Sequence, residues 1–252
     1  MGAAITVVAL DGLPEIHAGE DPAALIAAAM PPGAPASDDV LVVAHKFISK
    51  AEGRTRALSQ VTVSDRARRL AAELGKDPRH VQVVLDETRE IRRATRGVLI
   101  SVTHHGFVCA NAGVDASNSP DDDTVILLPA DPDQSARRLR ARLRERLGVA
   151  PAVLITDSFG RAWRNGQVDV AIGCAGLAPL EDWRGRTDAR GRKLKATWIA
   201  VADELAAGAD LARAKDAMQP AVLVSGAGRH VTTEDGPGVL SLVREATTDL
   251  FR

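Results

Sequence analysis

The sequence predicts an α+β fold with mixed β-sheets and flanking helices. Three observations carry that prediction. Short apolar runs suited to strands and amphipathic stretches suited to helices occur along the whole chain, yet they do not alternate strictly as a doubly wound parallel sheet would need. The chain has neither a GxxxxGK[ST] phosphate loop nor a GxGxxG fingerprint, so the two best-known nucleotide-binding α/β folds lose their main support. Finally, 252 residues, 45% of them apolar, can bury a large core, and no repeat, low-complexity tail or linker divides them. Residues 1–252 therefore read as one unit.

The opening run Ile5–Leu10 predicts a strand that enters the turn Asp11-Gly12-Leu13-Pro14. Asp21 followed by Pro22 is a helix start, and Pro31-Pro32-Gly33-Ala34-Pro35 ends that helix in a rigid connector. Val40–Ala44 is a buried strand that opens into the polar run His45–Gly53, read as a loop. Ser64 caps a helix with Ala67, Leu70, Ala71 and Leu74 inward, stopped by Gly75; Asp77-Pro78 starts the next, with Val81, Val84 and Leu85 inward. Val98–Val102 and Phe107–Ala110 form a hairpin about the turn His104-His105-Gly106. Val125–Leu128 and Val153–Thr156 are strands separated by a helix from about Ser135 to Leu147, which buries Ala136, Leu139, Leu143 and Leu147. Val168–Ile172 and Val222–Ser225 complete the strands, with a helix near Thr197–Ala212 between them.

Composition removes several functions. A formal net charge of -1 and 3% aromatics with no tyrosine leave neither the field nor the stacking platforms that nucleic-acid binding uses. The arginines at 137, 138, 140, 142, 144 and 146 could form an anion-binding face, but the near-neutral chain favours a solvated or subunit-facing helix. Cys109 and Cys174 stand in apolar settings without metal-ligand spacing and read as buried thiols. No apolar stretch reaches membrane-spanning length and the N-terminus lacks a signal pattern, so a cytoplasmic protein is expected. A GxSxG elbow is absent, and His104 and His105 have no third ligand at metal spacing.

Three segments could carry chemistry. Val153-Leu154-Ile155-Thr156-Asp157-Ser158-Phe159-Gly160 runs an apolar strand into a carboxylate and a hydroxyl, which suits either a hard cation or a capping turn. Asn111-Ala112-Gly113-Val114-Asp115-Ala116-Ser117-Asn118 packs short polar groups after an apolar strand and could be a ligand loop or an Asx-rich turn. Lys46 and Lys50 could neutralise phosphate or simply be solvated.

Together these strings resemble the coenzyme F-420-0:L-glutamate ligase family (CofE type, and the N-terminal half of the actinobacterial two-domain form). The resemblance rests on Asp11-Gly12-Leu13-Pro14, Ile48-Ser49-Lys50-Ala51-Glu52-Gly53, the 111–118 string, Leu127-Leu128-Pro129, Thr156-Asp157-Ser158-Phe159-Gly160-Arg161, Val170-Ala171-Ile172-Gly173 and Val201-Ala202-Asp203-Glu204-Leu205-Ala206, in order up to about Gly226. It implies the family's α+β fold in an intertwined homodimer and a ligase that uses GTP, two divalent ions (Mg²⁺ or Mn²⁺) and K⁺. The ligase would add L-glutamate to a deazaflavin F-420 precursor through an acyl phosphate, with no protein nucleophile. By the same resemblance Asp115, Asp157 and Ser158 bind metal, while Gly12, Leu13, Pro14, Glu15, His45, Lys46, Lys50, Asn118 and Lys215 meet the nucleotide. This chain departs from the pattern at residues 213–220, where Ala214 and Ala217 stand in place of glycine, and at Ser225-Gly226 in place of Arg-Gly. Those changes leave room for a paralogue with another amino acid or acceptor, or for a weakened nucleotide- or deazaflavin-binding protein.

Overall fold

A computed structural model of the chain describes residues 4–119, 121–214, 216–245 and 247–249. In chain order the strands are β1 (Thr6–Ala9), β2 (Val40–Ala44), β3 (Thr55–Ala57), β4 (Thr88–Thr95), β5 (Val98–Thr103), β6 (Val108–Ala110), β7 (Thr124–Ile126), β8 (Ala152–Arg161), β9 (Arg164–Ala175), β10 (Glu181–Asp182), β11 (Trp198–Ile199) and β12 (Ala221–Ser225). The helices are α1 (Pro22–Ala29), α2 (His45–Ala51), α3 (Asp65–Leu74), α4 (Pro78–Asp86), α5 (Pro132–Leu147) and α6 (Val201–Asp210). The α+β expectation with mixed sheets holds.

The central sheet runs β1-β12-β2-β8-β9, and only β2 and β8 are parallel. β2 and the first half of β8 are buried on both faces, which explains their unbroken apolar sequence. α5 packs on β8 and β9, and α6 lies across β9, β1, β12 and β2. A second hydrophobic core, separate from that of the sheet, gathers Ala67, Ala71, Val81, Val84, Val114 and Val125 beneath α3 and α4.

Where caps are written in the sequence, helices begin as expected. The Asp21 carboxylate accepts from Ala23 N, the Ser64 hydroxyl from Ala67 N, and Gly75 ends α3 in the left-handed region. α5 starts at Pro132, earlier than predicted, because Asp131 caps it by accepting from Gln134 N. Four corrections follow from tertiary context. The polar run 45–53 is largely a helix, α2: Phe47, Ile48 and Ala51 turn into the core, while His45 Nδ1 meets Ser49 Oγ and Lys50 Nζ meets Glu15. β4 was missed because its charges lie on an exposed edge and β-bulges interrupt its pairing with β5. α6 begins at Val201, since residues 198–199 pair with β10 instead. In α4 it is Val83 that is fully buried, while Leu85 is only partly covered.

The arginine helix is a set of struts. Arg138 pairs with Glu52 at 2.6 Å, Arg146 with Asp21 at 2.7 Å and Arg142 with Glu145 at 3.8 Å. Arg140 is buried, and every nitrogen of its guanidinium has an acceptor: Nε on Pro151 O, Nη1 on Asp235, Nη2 on Thr232 O and Thr233 O. It ties the segment after β12 to α5. Burial pushes both the Cys109 and Cys174 thiols up to about 12, so each is an unreactive core residue. Among the described residues no helix is long and apolar enough to cross a membrane.

Candidate functional site

Parallel register builds the centre of the site. Ala44 of β2 lies opposite Thr156 of β8, so the residues that follow stand side by side: His45 just past the end of β2, and Asp157 midway along β8, which runs on to Arg161 beyond the expected strand Val153–Thr156. His45 Nε2 stands 3.3 Å from Asp157 Oδ1 but forms no hydrogen bond, which leaves it a buried nitrogen without a partner among the described residues. Its Nδ1 is 3.2 Å from Ser49 Oγ, one helical turn along α2.

Asp115 arrives from the second core. Val114 is buried there, and Asp115 exchanges two backbone hydrogen bonds with Ile126 of β7 at 2.8 and 3.0 Å. This fixes the residue while its side chain reaches α2, where Lys46 Nζ donates to Asp115 Oδ2 and to Ser117 Oγ, both at 2.6 Å. Burial pushes the Asp115 carboxyl up. The Lys46 hydrogen bond, the Ser117 N–H and the Lys46 charge pull it down further, so its pKa lies below the ordinary carboxylate value. Asp115 and Asp157 thus stand at the seam of two hydrophobic cores, joined by consecutive residues of one helix.

The loop that delivers Asp115 is under backbone constraint. Asn111, Ala112 and Gly113 take φ values of 51°, 53° and 73° in succession. Asn111 Oδ1 accepts from Lys76 Nζ at 3.2 Å and from Leu99 N at 3.4 Å, which holds the turn. A Cβ on Gly113 would fall 2.7–2.8 Å from the Leu128 side chain. Gly113→Ala should therefore cost about 1–3 kcal/mol of stability, from overpacking and positive φ together. Chemical denaturation would measure it, and an unchanged midpoint would show that the turn is not tightly packed.

The turn at residues 12–15 is brought to the same place. Gly12 has φ 75°, Leu13 is buried, and Glu15 accepts from Lys50 of α2. Gln219 Nε2 donates to Asp11 at 2.6 Å, and Pro220 O accepts from Ala44 N, so the end of the 213–220 segment lies beside the start of α2. Among the described residues of that segment the left-handed one is Met218, not Ala214 or Ala217. Pro14 is exposed in the turn, and Asn118 is exposed with φ 55°. Lys215 lies outside the described residues.

Ser158 behaves differently from the other expected ligands. Its N–H bonds Asp157 Oδ1 at 2.8 Å, but its hydroxyl donates to Asp169 Oδ1 of β9 at 2.7 Å. Asp169 Oδ2 accepts from Thr156 Oγ1 at 2.8 Å and from Arg213. Sequence reasoning missed Asp169 and Arg213 as site neighbours. The available signal was an aspartate inside the apolar strand Val168–Ile172, since a buried carboxylate needs a partner. His104 and His105 are turn residues, as read from the sequence; His105 stacks on Phe107 at 5.5 Å.

Residues 12–226 match the family described as F420-0:gamma-glutamyl ligase. The chain belongs to that family. It is 42% identical over 251 residues to the coenzyme F420:L-glutamate ligase of Methanothermobacter thermautotrophicus, an alignment covering 98% of this chain and 99% of that protein. The enzyme of the same name from Methanopyrus kandleri is 44% identical, with 94% of each chain covered. That of Haloarcula marismortui is 41% identical over 98% of this chain and 95% of its own. The stretch shared with the F420-0:gamma-glutamyl ligase family starts at the 12–15 turn and ends one residue past β12, so apart from Asp11 it contains every site residue described above.

Proposed function

We propose that this chain is a coenzyme F420:L-glutamate ligase that uses GTP to join L-glutamate to a deazaflavin F-420 precursor, as a homodimer in the cytoplasm. The observation that supports this best is the convergence of Lys46–Asp115 and His45–Asp157 on the first turn of α2. Family membership and full-length relatives bearing that name support the substrates.

Amide formation from a carboxylate needs a leaving group better than hydroxide. Transfer of the GTP γ-phosphoryl group to the precursor carboxylate forms an acyl phosphate and releases GDP. The glutamate amine then attacks the acyl carbon, the C–O bond to phosphate breaks, and phosphate leaves as the nitrogen loses its proton. The acids involved repel one another, so the site must supply positive charge. Lys46 and Lys50 offer it as point charges beside the 12–15 turn, whose backbone and that of Asn118 can border the nucleotide.

Asp115 and Asp157 suit a divalent ion. Among the described residues no three His, Cys, Asp or Glu side chains form a complete metal cage. Two carboxylates with neighbouring cations suit Mg²⁺ or Mn²⁺, which fill their shells with phosphate oxygens and water. Such an ion would neutralise phosphate charge and polarise the transferred group. Of the protein's own groups, Lys46 holds Asp115 in place, the Ser158 N–H holds Asp157, and the buried Nε2 of His45 stands 3.3 Å from Asp157 Oδ1.

Incubation with the deazaflavin precursor, GTP, Mn²⁺ and L-glutamate, followed by mass spectrometry, tests the reading. A glutamyl mass gain with GDP release is expected. Intact GTP and an unchanged precursor would overturn it, while GDP released without that product would point to a different acceptor.

A further inference from the structure

The Ser158 side of β8 contains a buried cation that the reaction scheme above does not use. Arg213 Nη2 bonds Asp169 Oδ2, stands 3.4 Å from Thr156 Oγ1, and lies 3.6 Å from Asp210 Oδ1. Ser158 Oγ bonds the other oxygen of the same Asp169. Two carboxylates and the Thr156 hydroxyl about one nitrogen, with the Ser158 hydroxyl on the far oxygen of Asp169, are oxygen donors of the kind a hard divalent ion takes. Here a guanidinium stands among them.

The Arg213 side chain is only 7% exposed, and its Nη1 is buried with no hydrogen-bond acceptor among the described residues. An arginine placed only for structure has no reason to leave that donor empty. Arg140 of this same chain, equally buried, has an acceptor on each nitrogen. A buried donor left without an acceptor is costly to the fold, so an empty one beside a binding site points to an acceptor brought by a ligand.

We propose that Arg213 is a tethered cation standing where Ser158 would otherwise help hold a second divalent ion. The chain then works with one divalent ion, at Asp115 and Asp157, and Arg213 Nη1 donates to a phosphate oxygen of the bound nucleotide. This rests on the nucleotide-dependent reading given under Proposed function. Guanidinium suits the task, because its charge is permanent and its fork can hold a carboxylate with one arm and a phosphate with the other. A divalent ion cannot share the position, since it would face a like charge at contact distance with little water between.

Counting bound Mn²⁺ by electron paramagnetic resonance tests the proposal, with and without a non-hydrolysable GTP analogue, on the wild-type chain and on Arg213→Ala. The wild type should bind one Mn²⁺ per chain with the analogue. Arg213→Ala should bind a second, and at limiting Mn²⁺ it should hold the analogue about tenfold more weakly, as loss of a charged hydrogen bond implies. Two Mn²⁺ per wild-type chain would overturn the proposal, and this count stands even if the variant does not fold. So would an Arg213→Ala protein matching the wild type in Mn²⁺ number and analogue affinity. If neither chain binds the analogue, the nucleotide reading fails. The count with Mn²⁺ alone then decides separately: a gain in Arg213→Ala supports the tethered cation, and no gain overturns it.

Discussion

Asp157→Asn should lower ligation turnover on the order of a hundredfold, because the divalent ion proposed at this carboxylate would contribute several kcal/mol to the transition state. The substitution keeps the shape of the side chain and removes only its charge. Asp157 is partly exposed where the buried half of β8 ends, and it accepts a hydrogen bond from the backbone N–H of Ser158, which asparagine can still accept. Thermal melting should therefore stay close to that of the wild type while activity falls. Asp115→Asn should lose activity to a similar degree and also release Lys46, which the charged carboxylate now holds. The Asp115 pKa is lowered, so its stabilising contribution is present above the unfolded carboxyl pKa and is lost as pH falls through the lower folded value. Turnover unchanged in either variant would remove that residue from the reaction.

The parts of this fold that could be read from sequence are those with local causes. α1 and α3 announce themselves through Asp21-Pro22 and through Ser64 with Gly75, since a cap lies in the few residues beside the helix it serves. α2 has no such mark: Ala44 gives no side-chain cap, and the helix exists because the core receives Phe47 and Ile48. The site divides in the same way. A carboxylate after an apolar strand draws attention to Asp115 and Asp157. That His45 meets one and Lys46 the other depends on the β2–β8 register and the Asp115–Ile126 bridge, both long-range pairings. The surroundings of Ser158 are legible only in part. Its neighbour Asp169 is visible in the sequence of β9, but only the folded chain brings Arg213 to them from the end of α6.

That pairing leads to the largest expected effect on stability. Asp169→Ala should destabilise the chain by about 3–5 kcal/mol, the usual cost of leaving one member of a buried ion pair without its partner. Both side chains are almost wholly buried, and Asp210 at 3.6 Å offers Arg213 only a more distant carboxylate. Arg213→Ala should cost less, because Asp169 keeps the hydroxyls of Thr156 and Ser158 as donors. The double variant should then be more stable than Asp169→Ala alone, since it removes the stranded charge together with its partner. Denaturant midpoints of the four proteins form the cycle. Strict additivity would mean that Asp169 and Arg213 do not depend on each other, and the guanidinium would then owe its position to something other than this carboxylate.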